Sequence, residues 1–208
     1  KEHGGKNLCM AGGVGLNCVA NGKILKEKIF ENIWIQPAAG DAGGALGAAL
    51  AFWYKELKKK RFYPLKDEMK GSYLGPSFSD DEIEKELKNL DAKYKKFPKD
   101  ELLEITAKEL SRAKTIGWFQ GRMEFGPRAL GARSIIADPR SEKMQKILNL
   151  KVKFRESFRP FAPSIVREEL SNWFNLDCDS PYMLLVSSVK ENIKREMNES
   201  EKKLFGIE

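Results

Sequence analysis

The sequence predicts a mixed α/β (α+β) fold in two parts, and three observations lead to this prediction. Near the front, two short apolar runs each end in a glycine-rich turn that leads into apolar residues at helical spacing. A stretch of Lys, Arg, Pro and Gly then interrupts the periodicity, and helix and strand patterns resume after it. We therefore predict one domain at residues 1–60, a linker at 61–75 and a second domain at 76–208.

In the first part, the pattern alternates between strand and helix. Apolar residues at the matching spacings predict strands at residues 8–11 and 33–35 and helices at about 16–28 and 41–57. Asp41 begins the second helix, where its carboxylate can cap the free amides of the first turn. Small residues on that helix allow it to lie close to a sheet or a ligand.

The second part opens on a helix-start signal. Ser79 and Glu82 have the Ser-x-x-Glu spacing of a capping box, and apolar residues follow them at helical spacing. Further helices are predicted at about 102–110, 142–150 and 190–208, and strands at 94–97, 115–119 and 182–189.

Composition excludes several classes of protein. With 41% hydrophobic and 32% charged residues the chain is neither disordered nor fibrous. No apolar run approaches the ~20 residues that cross a bilayer, so we expect no membrane partner. Cys9, Cys18 and Cys178 have no metal-binding spacing, and we expect reduced thiols in a cytoplasmic protein. The chain opens on Lys1 rather than Met, and we expect an internal piece of a longer protein.

The net charge of +7 is concentrated in one segment, which we call the basic segment and define as residues 122–159. It contains four acidic residues and ten basic ones, namely Arg122, Arg128, Arg133, Arg140, Lys143, Lys146, Lys151, Lys153, Arg155 and Arg159. Arg suits phosphate because its planar fork donates two parallel hydrogen bonds and keeps its charge. The glycines and prolines among these cations favour a compact pocket over a continuous groove.

Two other interpretations of the basic segment remain open. Some of its arginines can form salt bridges with Glu124, Asp138 or Glu156. Aromatic residues interleaved with the cations can also stack the bases of single-stranded nucleic acid, although the sequence favours a phosphate ligand.

The two glycine-rich turns, at residues 11–17 and 37–45, form a second candidate site. Glycines between a strand and a helix allow either close backbone approach to a nucleotide or tight packing alone. The first turn matches neither a Walker loop nor the GxGxxG fingerprint. Two such turns about 25 residues apart resemble the nucleotide-binding half of the actin-like ATPase architecture, in which a carboxylate faces a metal.

Four motifs together carry a family resemblance. They are LCMAGGVGLNCVANG at residues 8–22, PAAGDAGGALGAA at 37–49, GRMEFGPRALGARSIIADPR at 121–140 and KFRESFRPFAP at 153–163. In this order they resemble the carbamoyltransferases of nodulation-factor and antibiotic tailoring. The resemblance implies an actin-like domain followed by a YrdC-like domain.

The resemblance also implies chemistry and site residues. The YrdC-like domain would join carbamoyl phosphate to ATP as carbamoyl adenylate, and the actin-like domain would pass the carbamoyl group to a small-molecule hydroxyl acceptor. Asp41 would be a ligand of a divalent metal, iron or magnesium, and we count a homodimer among the expected partners. Arg128 and Lys153 would hold the phosphates, assisted by Arg122, Arg133, Arg155 and Arg159, with Gly12, Gly13 and Asn17 at the adenylate.

The chain departs from the family pattern in what it lacks. The paired metal-binding histidines are missing, since the only histidine is His3, and so are the later motifs that complete the YrdC-like pocket. We therefore expect that this chain by itself does not turn over. The competing predictions are a non-catalytic basic module that binds nucleic acid or another polyanion, and an actin-like kinase.

Overall fold

The computed structural model of the chain describes residues 4–63 and 66–199 and confirms the mixed α/β class. The strands are β1 (Asn7–Met10), β2 (Asn32–Ile35), β3 (Ile116–Phe119) and β4 (Arg133–Ile136). The helices are α1 (Cys18–Lys26), α2 (Asp41–Ala51), α3 (Asp80–Asn89), α4 (Lys99–Ser111), α5 (Met144–Ile147) and α6 (Leu170–Trp173).

The first part forms a β–α–β unit, as the sequence predicted. Strands β1 and β2 pair in parallel, with Asn7 opposite Asn32 and Met10 opposite Ile35, and α1 connects them. Helix α1 begins where the side chain of Asn17 accepts a 3.1 Å hydrogen bond from the Ala20 amide. The parallel pairing brings the two glycine-rich turns, which follow β1 and β2, to the same end of the sheet.

Helix α2 starts one residue earlier than an Asp41 cap requires. Gly40 occupies the cap position without a side-chain hydrogen bond, and Asp41 is the first helical residue, so the predicted cap is wrong. The negative charge of Asp41 still lies in the first turn, where the positive end of the helix dipole favours it. The predicted extension to residue 57 is present as a single π-helical turn over Phe52–Glu56.

The start of the second part matches its local signals. The capping box is confirmed, because the Ser79 side chain accepts from the Glu82 amide and the Glu82 carboxylate accepts from the Ser79 amide. Strand β3 lies where a strand was predicted, but its antiparallel partner β4 was not predicted. The predicted helix at 142–150 corresponds to α5 and a π-helical turn over Leu148–Lys153.

Two predicted strands are wrong, and so is the predicted last helix over residues 194–198. Residues 94–97 have no strand partner among the described residues, and the side chains of Tyr94 and Lys96 bond to Glu84 instead. Residues 182–189 form only an isolated bridge at Val189. Residues 194–198 are not helical, and residues 200–208 lie outside the described residues. Alternating sequence predicts a strand only where a neighbouring backbone supplies the ladder.

The buried core draws on distant segments of the chain. Ile35, Met69, Tyr182 and Leu184 form a cluster, and residues from β1, α2 and the basic segment pack against it. Met69 lies in the predicted linker, where Ser72 is also buried and accepts a 2.7 Å hydrogen bond from the Phe125 amide. This stretch therefore packs closely with the basic segment, and the division of the chain into two domains stays a prediction.

The chain exposes more surface than a compact monomer of the same mass. The accessible area is 16885 Å², whereas a compact 23.6 kDa monomer exposes on the order of 9,800 Å². Leu50 on α2 and both Phe52 and Trp53 on the π-helical turn after it are among the large apolar side chains that remain about half exposed. None of the helices that the structure describes has both the length and the apolar character needed to cross a membrane.

Candidate anion-binding site

The first half of the basic segment folds around the carboxylate of Glu124. Its Oε1 accepts hydrogen bonds from the backbone amides of Leu130 at 2.7 Å, Ala132 at 2.8 Å and Arg133 at 3.3 Å. The side chain is only 7% exposed. Burial raises the pKa of Glu124, but the amide hydrogen bonds outweigh it and hold the pKa below its usual value. Glu124 therefore fixes the backbone that carries Arg128 and Arg133.

This loop docks against both glycine-rich turns. Gly126, at φ 128°, packs so closely that a Cβ there would lie 3.3 Å from the Cβ of Ala38. Arg128 extends further, and its Nη2 donates a 3.0 Å hydrogen bond to the carbonyl of Leu16. The Nε of Arg128 is buried, without a hydrogen-bond partner in residues 4–63 and 66–199. The two candidate sites, predicted in separate domains, thus meet at Arg128.

Asn21 also holds the first glycine turn through hydrogen bonds. This buried side chain donates to the carbonyls of Gly15 at 2.9 Å and Leu184 at 3.0 Å. Added Cβ atoms at Gly12 and Gly13 would meet nothing within 4 Å, so close packing does not explain these glycines. Gly12 does require glycine for its backbone, because its φ is 95°. Both residues and Asn17 are exposed, and their adenylate role stays a prediction.

Arg133 is anchored to neutral groups at the start of β4. Its guanidinium donates to the carbonyls of Gln120, Gly121 and Ala132 at 3.0, 3.2 and 2.9 Å. The same group lies 3.4 Å from the centre of the Phe119 ring, in cation–π contact. Arg122, by contrast, is exposed at the loop entrance.

The second half of the basic segment forms a separate cluster. Lys153 is exposed at the end of the π-helical turn, and Arg159 lies 3.6 Å from the carboxylate of Glu156. Arg155 is half-buried, with its Nε 2.7 Å from Oδ1 of Asn149 and its guanidinium 4.9 Å from the Phe161 ring. Among the described residues, no hydrogen bond or ion pair joins this cluster to the Arg128 loop.

Carboxylates neutralise few of the segment's cations. Asp138 pairs with Arg140 through several hydrogen bonds, which lower the pKa of Asp138 to about 2. Glu156 faces Arg159, whereas Glu124 bonds to backbone amides instead of to an arginine. Within the part of the chain that the structure describes, Arg128, Arg133 and Arg155 form no ion pair. Their charge is thus available to an anionic ligand.

The residues present do not form a metal site on their own. Asp41 is exposed on the first turn of α2, and the described residues contain no group of three His, Cys, Asp or Glu side chains placed to hold a metal. A metal at Asp41 would need further ligands from outside these residues. His3 lies outside the described residues, and the metal role of Asp41 stays a prediction.

Sequence reasoning missed the residues that shape the site. Glu124 was treated as a salt-bridge candidate, and Asn149 and Asn21 were not considered. A lone carboxylate among arginines and glycines was the available signal for Glu124. Asn149 lies in a predicted helix, but nothing in the sequence marks its side chain as buried.

Comparisons with known proteins match most of the chain. The family model described as carbamoyltransferase N-terminus matches residues 1–50, and the one described as carbamoyltransferase C-terminus matches residues 107–201. The first match holds both glycine-rich turns, and the second holds the whole basic segment.

Individual relatives extend over nearly the full chain. An uncharacterized protein of Synechocystis sp. is 54% identical over 100% of this chain and 34% of that protein. Nodulation protein NolO of Bradyrhizobium diazoefficiens is 42% identical over 92% of this chain and 35% of that protein. Nodulation protein U of Rhizobium fredii is 35% identical over 90% of this chain and 29% of that protein. The chain spans about one third of the length of these curated relatives.

Proposed function

This chain belongs to the carbamoyltransferase family, and from that premise we propose that the protein is an ATP-dependent O-carbamoyltransferase. In the proposed reaction, carbamoyl phosphate, ATP and water give carbamoyl adenylate, phosphate and pyrophosphate. An acceptor hydroxyl then attacks the carbamoyl carbon, the bond to the phosphoryl oxygen breaks, and AMP leaves. The first step would occur in a YrdC-like domain and the second in an actin-like domain.

One observation carries the proposal. Arg128, Arg133 and Arg155 are fixed by carbonyls, by an amide side chain or by aromatic rings, and none of them is neutralised by a carboxylate in the described residues. Guanidinium groups held in this way keep their full charge and a defined direction. Such groups stabilise the negative charge that develops on phosphoryl oxygens without having to reorganise.

The proposed roles of the cations rest on the motifs that this chain shares with the family. Arg128 and Lys153 bind the phosphates of carbamoyl phosphate and the nucleotide, and Arg122, Arg155 and Arg159 assist them. Arg133 contributes charge, because hydrogen bonds to three backbone carbonyls already occupy much of its guanidinium. Gly12, Gly13 and Asn17 border the adenylate, to which Arg128 brings the loop close through Leu16.

The test is the exchange of labelled pyrophosphate into ATP by the complete gene product, with and without carbamoyl phosphate. We expect exchange that depends on carbamoyl phosphate, and a loss of ~100-fold or more in Arg128→Ala and in Lys153→Ala. Arg140→Ala is the matched control, because Asp138 already neutralises Arg140. Exchange that persists in Arg128→Ala and Lys153→Ala would contradict the proposed roles. ATP turnover at the same rate with and without carbamoyl phosphate would favour the actin-like kinase alternative.

A non-catalytic module for single-stranded nucleic acid is the second candidate. The observation in its favour is that Phe154 and Phe158 are 84% and 73% exposed beside Lys153 and Arg159, as in a base-stacking surface. Titration with an oligonucleotide at two salt concentrations separates the candidates. Tight binding that weakens steeply with salt would support this module. Weak binding to nucleic acid, together with binding of carbamoyl phosphate that requires Arg128, would support the enzyme.

A further inference from the structure

Asn149 uses every polar group of its side chain inside the protein. It is 0% exposed, on the π-helical turn Leu148–Lys153 that follows α5. Its Nδ2 donates to the carbonyls of Ser157 at 3.0 Å and Arg159 at 2.8 Å, and its Oδ1 accepts from the Nε of Arg155 at 2.7 Å. Its backbone carbonyl also accepts from the Arg155 amide at 3.0 Å. One buried side chain therefore organises the loop at residues 154–159.

These contacts give the Arg155 guanidinium a defined direction. The Nε edge is bonded to Asn149, and one face of the group lies 4.9 Å from the Phe161 ring. Neither Nη nitrogen has a hydrogen-bond partner among residues 4–63 and 66–199, so both are free to donate to a ligand. A long side chain that is already ordered loses less conformational entropy when an anion binds.

Asn149 is an uncharged partner of Arg155, and this affects the charge that Arg155 can offer to a ligand. Arg140, in the same segment, is held by the Asp138 carboxylate and is thereby neutralised. Arg155 is held by an amide, which orients the guanidinium but leaves its positive charge. A carboxylate in place of Asn149 would compete with any phosphate for that charge. The environment of Arg155 thus combines fixed orientation with unneutralised charge.

We propose that Asn149 is a positioning residue, which presents the Arg155 fork to a phosphate oxygen of the ligand. This inference rests on the proposed function, because that function supplies the phosphate ligand. It adds a specific dependence, since binding should weaken when Asn149 is changed even though Asn149 does not touch the ligand. The dependence should also disappear when Arg155 has already been removed.

A double-mutant cycle on the complete gene product tests the dependence, with carbamoyl phosphate as the probe and calorimetry as the measurement. Asn149→Ala should raise the dissociation constant at least ~10-fold when Arg155 is present, and less than about twofold in an Arg155→Met background. Gln145→Ala is the matched control, because Gln145 donates to the carbonyls of Phe158 and Arg159 without contacting Arg155. It should change the dissociation constant less than about threefold.

A second variant keeps the inference falsifiable if Asn149→Ala does not fold. Arg155→Lys retains the charge and leaves the buried Asn149 intact, but lacks the Nε bond and the planar fork. Wild-type affinity in Arg155→Lys would overturn the inference, as would equal effects of Asn149→Ala with and without Arg155. If wild-type protein binds no carbamoyl phosphate, the proposed function fails as well. If Arg155→Met weakens binding but the cycle is additive, only the role of Asn149 fails.

Discussion

The guanidinium of Arg128 and the carbonyl of Leu16 lie 3.0 Å apart although 112 positions separate them in the chain. The arginine belongs to the basic segment and the carbonyl to the first glycine-rich turn. A change at either end of this contact should therefore affect both candidate sites. The contact also makes Arg128 different from the exposed cations, because part of its guanidinium is already engaged.

Replacing Arg128 should lower both stability and ligand affinity. In Arg128→Ala the Leu16 carbonyl loses its donor, which costs about 1–3 kcal/mol in unfolding free energy. Affinity for carbamoyl phosphate should fall at least ~10-fold, since a charged donor to the ligand is also lost. Chemical denaturation and calorimetry measure the two effects. An unchanged unfolding free energy would argue against the contact with Leu16.

Two neighbouring glycines of α2 should respond in opposite ways to alanine. A Cβ on Gly43 would lie 1.9 Å from the carbonyl oxygen of Ala38, whereas a Cβ on Gly44 would meet nothing within 4 Å. Gly43→Ala should destabilise the fold by about 1–3 kcal/mol or more, because the second glycine turn has to move. Gly44→Ala should be neutral or stabilise by up to about 1 kcal/mol. Thermal unfolding of both variants compares them, and equal midpoints would contradict the close packing at Gly43.

The contribution of the Glu124 carboxylate to the unfolding free energy should decrease at acidic pH. The pKa of Glu124 is lower in the folded protein than its usual value of about 4.3, so its contribution is present above that value. The contribution is lost as the pH falls through the folded-state pKa. Unfolding free energies measured from pH 6 to pH 3 should therefore fall more steeply for wild type than for Glu124→Gln. Parallel curves for the two proteins would mean that the carboxylate is not held by these amides.

The 208-residue chain alone should not sustain carbamoyl adenylate formation. Its exposed area far exceeds that of a compact monomer, and no hydrogen bond or ion pair among the described residues joins the Lys153 cluster to the Arg128 loop. Incubation with ATP and carbamoyl phosphate, followed by chromatography of the nucleotides, measures the product. Continued accumulation beyond one equivalent of protein would contradict this prediction.

Local signals predicted local structure well. The glycine turns after β1 and β2 and the capping box at Ser79, which starts α3, depend on neighbouring residues, and each lies where the sequence indicated. The predicted strands at 94–97 and 182–189 failed because a strand needs a partner that alternation does not identify. The antiparallel partner of β3 was missed for the same reason, since β4 lies within a segment that was interpreted only for its charge.

The cations of the candidate site were predictable from the sequence, but the groups that hold them in place were not. The sequence singled out Arg128, Arg133 and Arg155 as candidate anion ligands from their residue type and their spacing. Their partners are the Leu16 carbonyl, the carbonyls around Gly121 and the side chain of Asn149. Such partners are chosen by tertiary packing, and one sequence does not reveal them. The site assignments themselves stay predictions.

The hydrogen bond between Asn21 and the carbonyl of Leu184 spans 163 positions, so its two partners are synthesised at different times. A ribosome that adds about 5–20 residues per second needs on the order of ten seconds or more to deliver the second partner after the first. During that interval the first glycine turn exists without the segment that packs over it. We expect nascent chains that stop before Leu184 to remain open to proteases and chaperones, and longer ones to become protected abruptly.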